Sequence, residues 1–189
     1  MRTLVLNGFH KGDNRWQQAA SILSEELINR GWPCEEIRLC ETDIADCAGC
    51  FSCWTKTPGI CLVEDAGREV ARRFAGCDLV VLFSPVTFGG YSSELKKALD
   101  RLIPLISPFF KKIQGEVHHR RRYDRYPALI GIGMTEGDGE EQIRIFRKLL
   151  RRNVINLHNP KNAVGIIGER EDPVRIHEKV RDWLQEVAR

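Results

Sequence analysis

Four of the seven cysteines fall within fifteen residues, CAGCFSCWTKTPGIC at 47–61. Cys47, Cys50 and Cys53 stand three apart and Cys61 follows eight residues later. Thiolates are soft ligands and nucleophiles. Four of them crowded together point to a disulfide scaffold, a zinc site or an iron–sulfur cluster. Two-residue spacers let neighbouring thiolates reach different irons of one cuboidal cluster, and a more distant Cys supplies the last ligand. Pro58-Gly59 offers a turn that would bring Cys61 back to the same site. Zinc also accepts four thiolates, commonly as two separate C-x-x-C pairs, so three cysteines in a row favour a cluster over zinc. Cys34, Cys40 and Cys77 lie outside the pattern. Cys77 precedes an apolar run and reads as a buried small hydrophobe.

The elements that must position these thiols follow from periodicity. The chain has 189 residues, 42% hydrophobic and 29% charged, with a net charge of +3, which is ordinary for a globular protein built around one core. No apolar run approaches the roughly 18 residues of a membrane span. The start, MRTLVLNGFH, is too short in its apolar part for a signal peptide. A cytoplasmic, reducing location is expected, where clustered cysteines read as ligands or redox groups rather than disulfides. Strands are predicted at 2–7, 34–40, 79–83, 127–133 and 163–167. Helices are predicted at 14–30 with Asn14 as N-cap, at 64–75, 93–103 and 139–151, and from Pro173 onward. This β-α alternation predicts an α/β fold with a parallel sheet covered on both faces. In such sheets ligands bind at the carboxyl ends of the strands. Three loops rich in Gly and small polar residues sit there, at 8–14, 84–92 and 133–139.

The first loop runs into a helix N-terminus, where free N–H groups and the helix dipole suit a phosphate, and Lys11 and Arg15 add charge. It is neither a Walker loop nor G-x-G-x-x-G. An ordinary turn between strand and helix is the competing reading. In the second loop, SPVTFGGYSS, Pro85 stiffens the chain and Gly89 and Gly90 let backbone approach a ligand. Thr87, Phe88 and Tyr91 are placed to line a flat ring such as a flavin. The competing reading is a rigid turn with Phe88 and Tyr91 in the core.

The run DLVVLFSPVTFGGYSSELKKALDR from Asp78 to Arg101 resembles the flavodoxin-like NAD(P)H-dependent FMN reductases. With CAGCFSCWTKTPGIC and Asp65 it is similar to their iron–sulfur flavoprotein branch. The resemblance covers about residues 2–168. It implies a flavodoxin-like three-layer sandwich with a five-stranded parallel sheet in the order 2-1-3-4-5. It also implies FMN as cofactor, NAD(P)H as electron donor, and a homodimer or homotetramer. By that resemblance Asn7, Gly8, Lys11, Asn14 and Arg15 belong to the phosphate loop. Pro85, Val86, Thr87, Phe88, Gly89 and Gly90 would meet the isoalloxazine ring, with Gly133, Met134 and Thr135 closing a third side. The family's first loop usually offers a Ser or Thr hydroxyl to the phosphate. Here it reads Gly8-Phe9-His10-Lys11, leaving that work to backbone amides. In the iron–sulfur branch, cysteines spaced like Cys47, Cys50, Cys53 and Cys61 ligate a 4Fe–4S cluster. A cluster-free FMN or quinone reductase is the alternative, and an electron carrier or zinc-bearing interaction module is the second. Electron transfer through a flavin requires no side-chain acid or base, so no catalytic residue is named.

Residues 106–126 read as an insertion between helix and strand. Its segment KKIQGEVHHRRRYDR carries six Lys/Arg against Glu116 and Asp124, with His118 and His119 in the middle. The low net charge and the lack of a nucleic-acid motif argue against a nucleic-acid surface. A solvated insertion, or one that covers the flavin, recruits cofactor phosphates or meets a neighbouring subunit, are the remaining readings.

Overall fold

The computed structural model describes residues 1–137 and 139–188. The loop at 133–139 therefore contains one residue, Asp138, outside the described set. Five strands form one parallel sheet: β1 (Thr3–Asn7), β2 (Cys34–Arg38), β3 (Leu79–Pro85), β6 (Ala128–Thr135) and β7 (Asn162–Gly168). Their order is β2-β1-β3-β6-β7, with β4 (Ile106–Ile113) and β5 (Glu116–Arg121) pairing apart as an antiparallel hairpin. Counting only the sheet strands, this is the flavodoxin order expected from the sequence. The basic insertion is the hairpin.

The apolar strand runs explain the burial. In β1, Leu4 and Leu6 face one layer and Val5 the other, as alternation requires. One layer packs Val70 and Phe74 of α3 (Ala66–Gly76), Leu95 and Ala98 of α4 (Ser93–Asp100) and Phe146 and Leu150 of α5 (Glu140–Asn156). The opposite layer packs Ile22 and Leu27 of α1 (Gln17–Asn29) with Ile176, Val180 and Leu184 of α6 (Pro173–Ala188). The edge strand β2, CEEIR, is exposed or half-buried throughout, as its charges require.

Several boundaries differ from the periodicity reading. α1 begins at Gln17, with Trp16 at the N-cap and no side-chain cap. Asn14 lies one turn earlier, where its carbonyl accepts from Gln17 N–H at 3.2 Å. α4 ends at Asp100, and a short 3-10 turn over Ile103–Leu105 carries Pro104, whose missing N–H cannot continue an α-helix. α5 runs five residues past its expected end because Val154 is still buried. β3 and β6 each extend two residues further, and their pairing reaches Pro85 opposite Met134. That extension carries the sheet into the ligand-facing end of the molecule.

Candidate functional site

The carboxyl ends of β1, β3, β6 and β7 open into a cleft of about 620 Å³. Such a volume accommodates a cofactor-sized molecule. Pro85, Val86, Thr87 and Phe88 form one wall, with Met134 and Thr135 beside them and Arg15 across the mouth. Seven of the residues singled out from sequence thus meet in one place. The cleft also takes Phe9, His10, Glu136, Gln142 and Glu169, to which the sequence reading gave no place in the site. Glu136 and Glu169 follow sheet strands directly, so the carboxyl-end rule applied to every strand would have reached them. Gln142 comes from the side of α5 and carries no motif.

The wall at 84–91 is built by a tight turn. Thr87 and Gly90 exchange both backbone hydrogen bonds, at 3.0 and 2.8 Å. Phe88 (φ 49°) and Gly89 (φ 77°) between them both lie in the left-handed region. That is the geometry of a primed two-residue turn, natural for Gly and strained for Phe. Phe88 is nevertheless 92% exposed, so burial does not compensate for its backbone. The Thr87 and Gly90 amides are engaged within the turn. Gly89 is buried, and a Cβ there would stand 2.8 Å from Ile145 on α5. Tyr91 turns into the core, its hydroxyl accepting from Asn153 at 3.0 Å. Gly133 lies beneath Val86 and Phe146. These glycines shape the wall from behind.

The β1 loop is braced in a similar way. The Asn7 side chain donates to Glu36 at 2.7 Å and accepts from Phe9 N–H at 3.0 Å, so it holds the turn instead of facing the cleft. Gly8 presses on α4, where an added Cβ would stand 2.7 Å from Leu95 Cβ. Ser92, the N-cap of α4, donates its hydroxyl to the Gly8 carbonyl and accepts from Leu95 N–H. Lys11 and Asn14 are exposed and stand outside the cleft lining. Arg15 pairs with Asp13 on its own loop and with Glu136 on the β6 loop, linking the two sides of the cleft. The hydrogen bond from Arg15 lowers the Asp13 carboxyl below its usual range against a smaller opposing effect of burial.

The cysteine loop is anchored by other contacts, to the turn at Ile103, the start of β4, Asp65 and Arg101. Cys53 is buried on α2 (Ser52–Thr55), Cys61 is half-buried, and Cys47 and Cys50 are exposed. Thr57, Pro58, Gly59 and Ile60 turn the chain back as the sequence suggested, with Ile60 N–H donating to Thr57 and Gly59 N–H to the Cys53 carbonyl. Burial raises the Cys53 thiol, and the charges of Cys61, Cys47 and Cys50 raise it further. Among the described residues no three His, Cys, Asp or Glu side chains converge closely enough to share a single metal ion. No cysteine lines the cleft among the described residues.

The hairpin supports this loop. Trp54 Nε1 donates to the carbonyls of Ile103 and Ile106 at 3.2 and 3.0 Å. Its ring stacks on Phe51 (centroids 5.2 Å apart) and meets His119 at 4.9 Å. His119 Nδ1 donates to the Ser107 carbonyl and His118 pairs with Glu116, so the His-His pair serves the hairpin itself. On the other side Asp65 caps α3 and grips Arg101, a buried residue to which sequence reasoning assigned no role.

An iron–sulfur flavoprotein of Methanocaldococcus jannaschii is 34% identical over 170 residues, covering 86% of this chain and 81% of the relative. Among solved structures, an NAD(P)H:quinone oxidoreductase from Methanothermobacter marburgensis superposes with a TM-score of 0.71 at 14% identity, covering 96% of this chain and 95% of that one. An FMN-dependent NADH-azoreductase from Bacillus anthracis, in complex with FMN, gives 0.68 at 16% identity over 100% of this chain and 98% of that one. The family description that matches residues 1–188 is NADPH-dependent FMN reductase. With the flavodoxin strand order and the cleft at its carboxyl end, this places the chain in the NADPH-dependent FMN reductase family, as an FMN-dependent oxidoreductase.

Proposed function

We propose that the chain is a cluster-bearing flavin oxidoreductase, with FMN in the 620 Å³ cleft and a 4Fe–4S cluster on Cys47, Cys50, Cys53 and Cys61. Bound FMN supplies the hydride-accepting ring that takes two electrons from NAD(P)H and passes them on. This chain's part is to hold that ring and exclude bulk water. Pro85, Val86, Thr87 and Phe88 border it with Met134 and Thr135, while Gly89, Gly90 and Gly133 keep the wall thin from behind. Arg15 and the loop after Asn7-Gly8 serve the phosphate, with Arg15 exchanging Glu136 for the ligand's charge. Lys11 and Asn14 would act from the loop's exposed side.

What supports the cluster reading is the donor set itself: Cys47, Cys50, Cys53 and Cys61 share one loop that turns back at Pro58-Gly59, and the 34% identical relative is named an iron–sulfur flavoprotein. Exposed Phe109, Phe110 and Val117 on the hairpin support association between copies of the chain. A second reading, a cluster-free reductase of a small aromatic acceptor, draws on Phe88, exposed at the cleft and free to stack.

Anaerobic purification with flavin, iron, sulfide and zinc measured on one sample tests the assignment. Stoichiometric FMN with iron and sulfide in equal amounts is expected, with rapid flavin bleaching by NADPH or NADH. FMN without iron and sulfide leaves the cluster-free reductase. A protein that neither contains nor takes up FMN overturns both readings.

A further inference from the structure

Arg101 is the largest fully buried side chain, 2% exposed, yet it lies outside the cleft. Its terminal nitrogens meet both oxygens of Asp65 at 2.7 Å, and they also reach the carbonyls of Ala45 and Val63. Those two carbonyls flank the cysteine stretch at either end. Gly67 makes room for the group, since a Cβ there would approach the guanidinium carbon to 3.0 Å. The pair with Asp65 leaves one donor over, since Arg101 Nε is buried without a partner among the described residues. Val63, whose carbonyl the guanidinium holds, lies two residues after Cys61.

We infer that Arg101 is the counter-charge of the cysteine site, a positioning residue that shapes the loop through Asp65 and favours the reduced form of the cluster. The inference rests on the cluster reading above. An iron–sulfur unit with four thiolate ligands is anionic, and one added electron makes it more so; nearby charge and hydrogen bonds set its potential. A guanidinium cannot lose its proton, so its charge is present in both states. Burial keeps solvent ions from screening it. The electron comes from the nicotinamide by way of the flavin, and Arg101 exchanges neither proton nor electron.

Redox titration of the holoprotein, followed by EPR of the reduced cluster, tests this in wild type, Arg101→Gln, Arg101→Lys and Asp65→Asn. Removing the cation is expected to shift the cluster midpoint to more negative potential. Lys, which retains the charge, is expected to stay near wild type. Asp65→Asn keeps an N-cap residue as good as Asp while leaving the cation uncompensated, so its midpoint is expected to move positive. Opposite shifts for Arg101→Gln and Asp65→Asn support the assignment. Unchanged midpoints, or shifts of the same sign, with iron and sulfide retained overturn it and reduce the pair to a structural staple. If Arg101→Gln fails to hold iron, the Asp65→Asn variant still decides the sign. A wild-type protein without iron and sulfide overturns the cluster reading and this assignment together, a result distinct from unchanged midpoints.

Discussion

Asp65 and Arg101, thirty-six residues apart, meet through two parallel hydrogen bonds of 2.7 Å each. Asp65 at the same time caps α3 by accepting from Gly67 N–H, and it accepts from Ala45 N–H ahead of the first clustered cysteine. One carboxylate therefore ties together the start of the cysteine loop, its end, and α4 of the core. Burial alone would raise that carboxyl, but the Arg101 hydrogen bonds and the two backbone donors lower it below its usual range.

The seven cysteines are expected to divide sharply. Serine at Cys47, Cys50, Cys53 or Cys61 should abolish iron retention, whereas serine at Cys34, Cys40 or Cys77 should leave it intact. In iron-free protein the order of alkylation, read by mass spectrometry, should begin with Cys50, whose thiol Ser52 pulls below its usual range. Cys77 should react last, since burial pushes it up to about 12.

Arg15→Gln should weaken FMN retention about tenfold, equivalent to roughly 1.4 kcal/mol, with Arg15→Lys intermediate. Lys11→Gln should change it by less than about threefold, because Lys11 is exposed and outside the lining. Equilibrium dialysis against FMN at low and moderate salt separates the two.

Phe88→Gly should leave the fold intact and raise stability by up to about 1 kcal/mol, because Gly adopts the left-handed turn without strain. If Phe88 borders the cofactor or a small acceptor, the same variant loses affinity for it. Denaturant unfolding of apoprotein and flavin binding on the same sample should therefore move in opposite directions.

Gly8→Ala should cost about 1–3 kcal/mol, through the clash with Leu95 and Ser92 that overpacks the β1–α4 contact. Thermal unfolding of the apoprotein measures it independently of any ligand.

Acid should weaken the α1–α6 contact. Burial raises the Glu26 carboxyl, but hydrogen bonds from Arg181, His177 and Arg30 outweigh it and bring it down from 4.5 to about 2. A depressed carboxyl stabilises the fold fully above the unfolded value and loses that contribution as pH falls from about 4.5 towards 2. Glu26→Gln should lower stability at neutral pH by about 2 kcal/mol and flatten the acid limb of the curve, measured by denaturant unfolding between pH 2 and 7.

The fold was legible because its signals are local. LVVLF and ALIGIG are continuous apolar runs that only a doubly covered strand explains, and the amphipathic spacing of Ile176, Val180 and Leu184 places a helix on one face. The hairpin at 106–121 was harder to see. Its strands ISPFFKKI and EVHHRR carry charge on exposed edges and lack the alternation that marks a half-buried strand. The turn at Pro58-Gly59 was readable because proline and glycine restrict the backbone wherever they occur.

Sequence by itself determined the class of sheet, the three ligand-facing loops and the set of four thiols, since each depends on residue type and short-range spacing. Tertiary structure decided which members of those loops face the cleft. Asn7, Gly8, Gly89 and Gly133 hold the walls from behind, while Phe9, Glu136, Gln142 and Glu169 enter from positions without a motif. It also brought Arg101 under the cysteine loop and left Phe88 strained and exposed. Such pairings join residues far apart in the chain, and the free energy of placing a charge or a left-handed aromatic depends on neighbours that only the folded packing supplies.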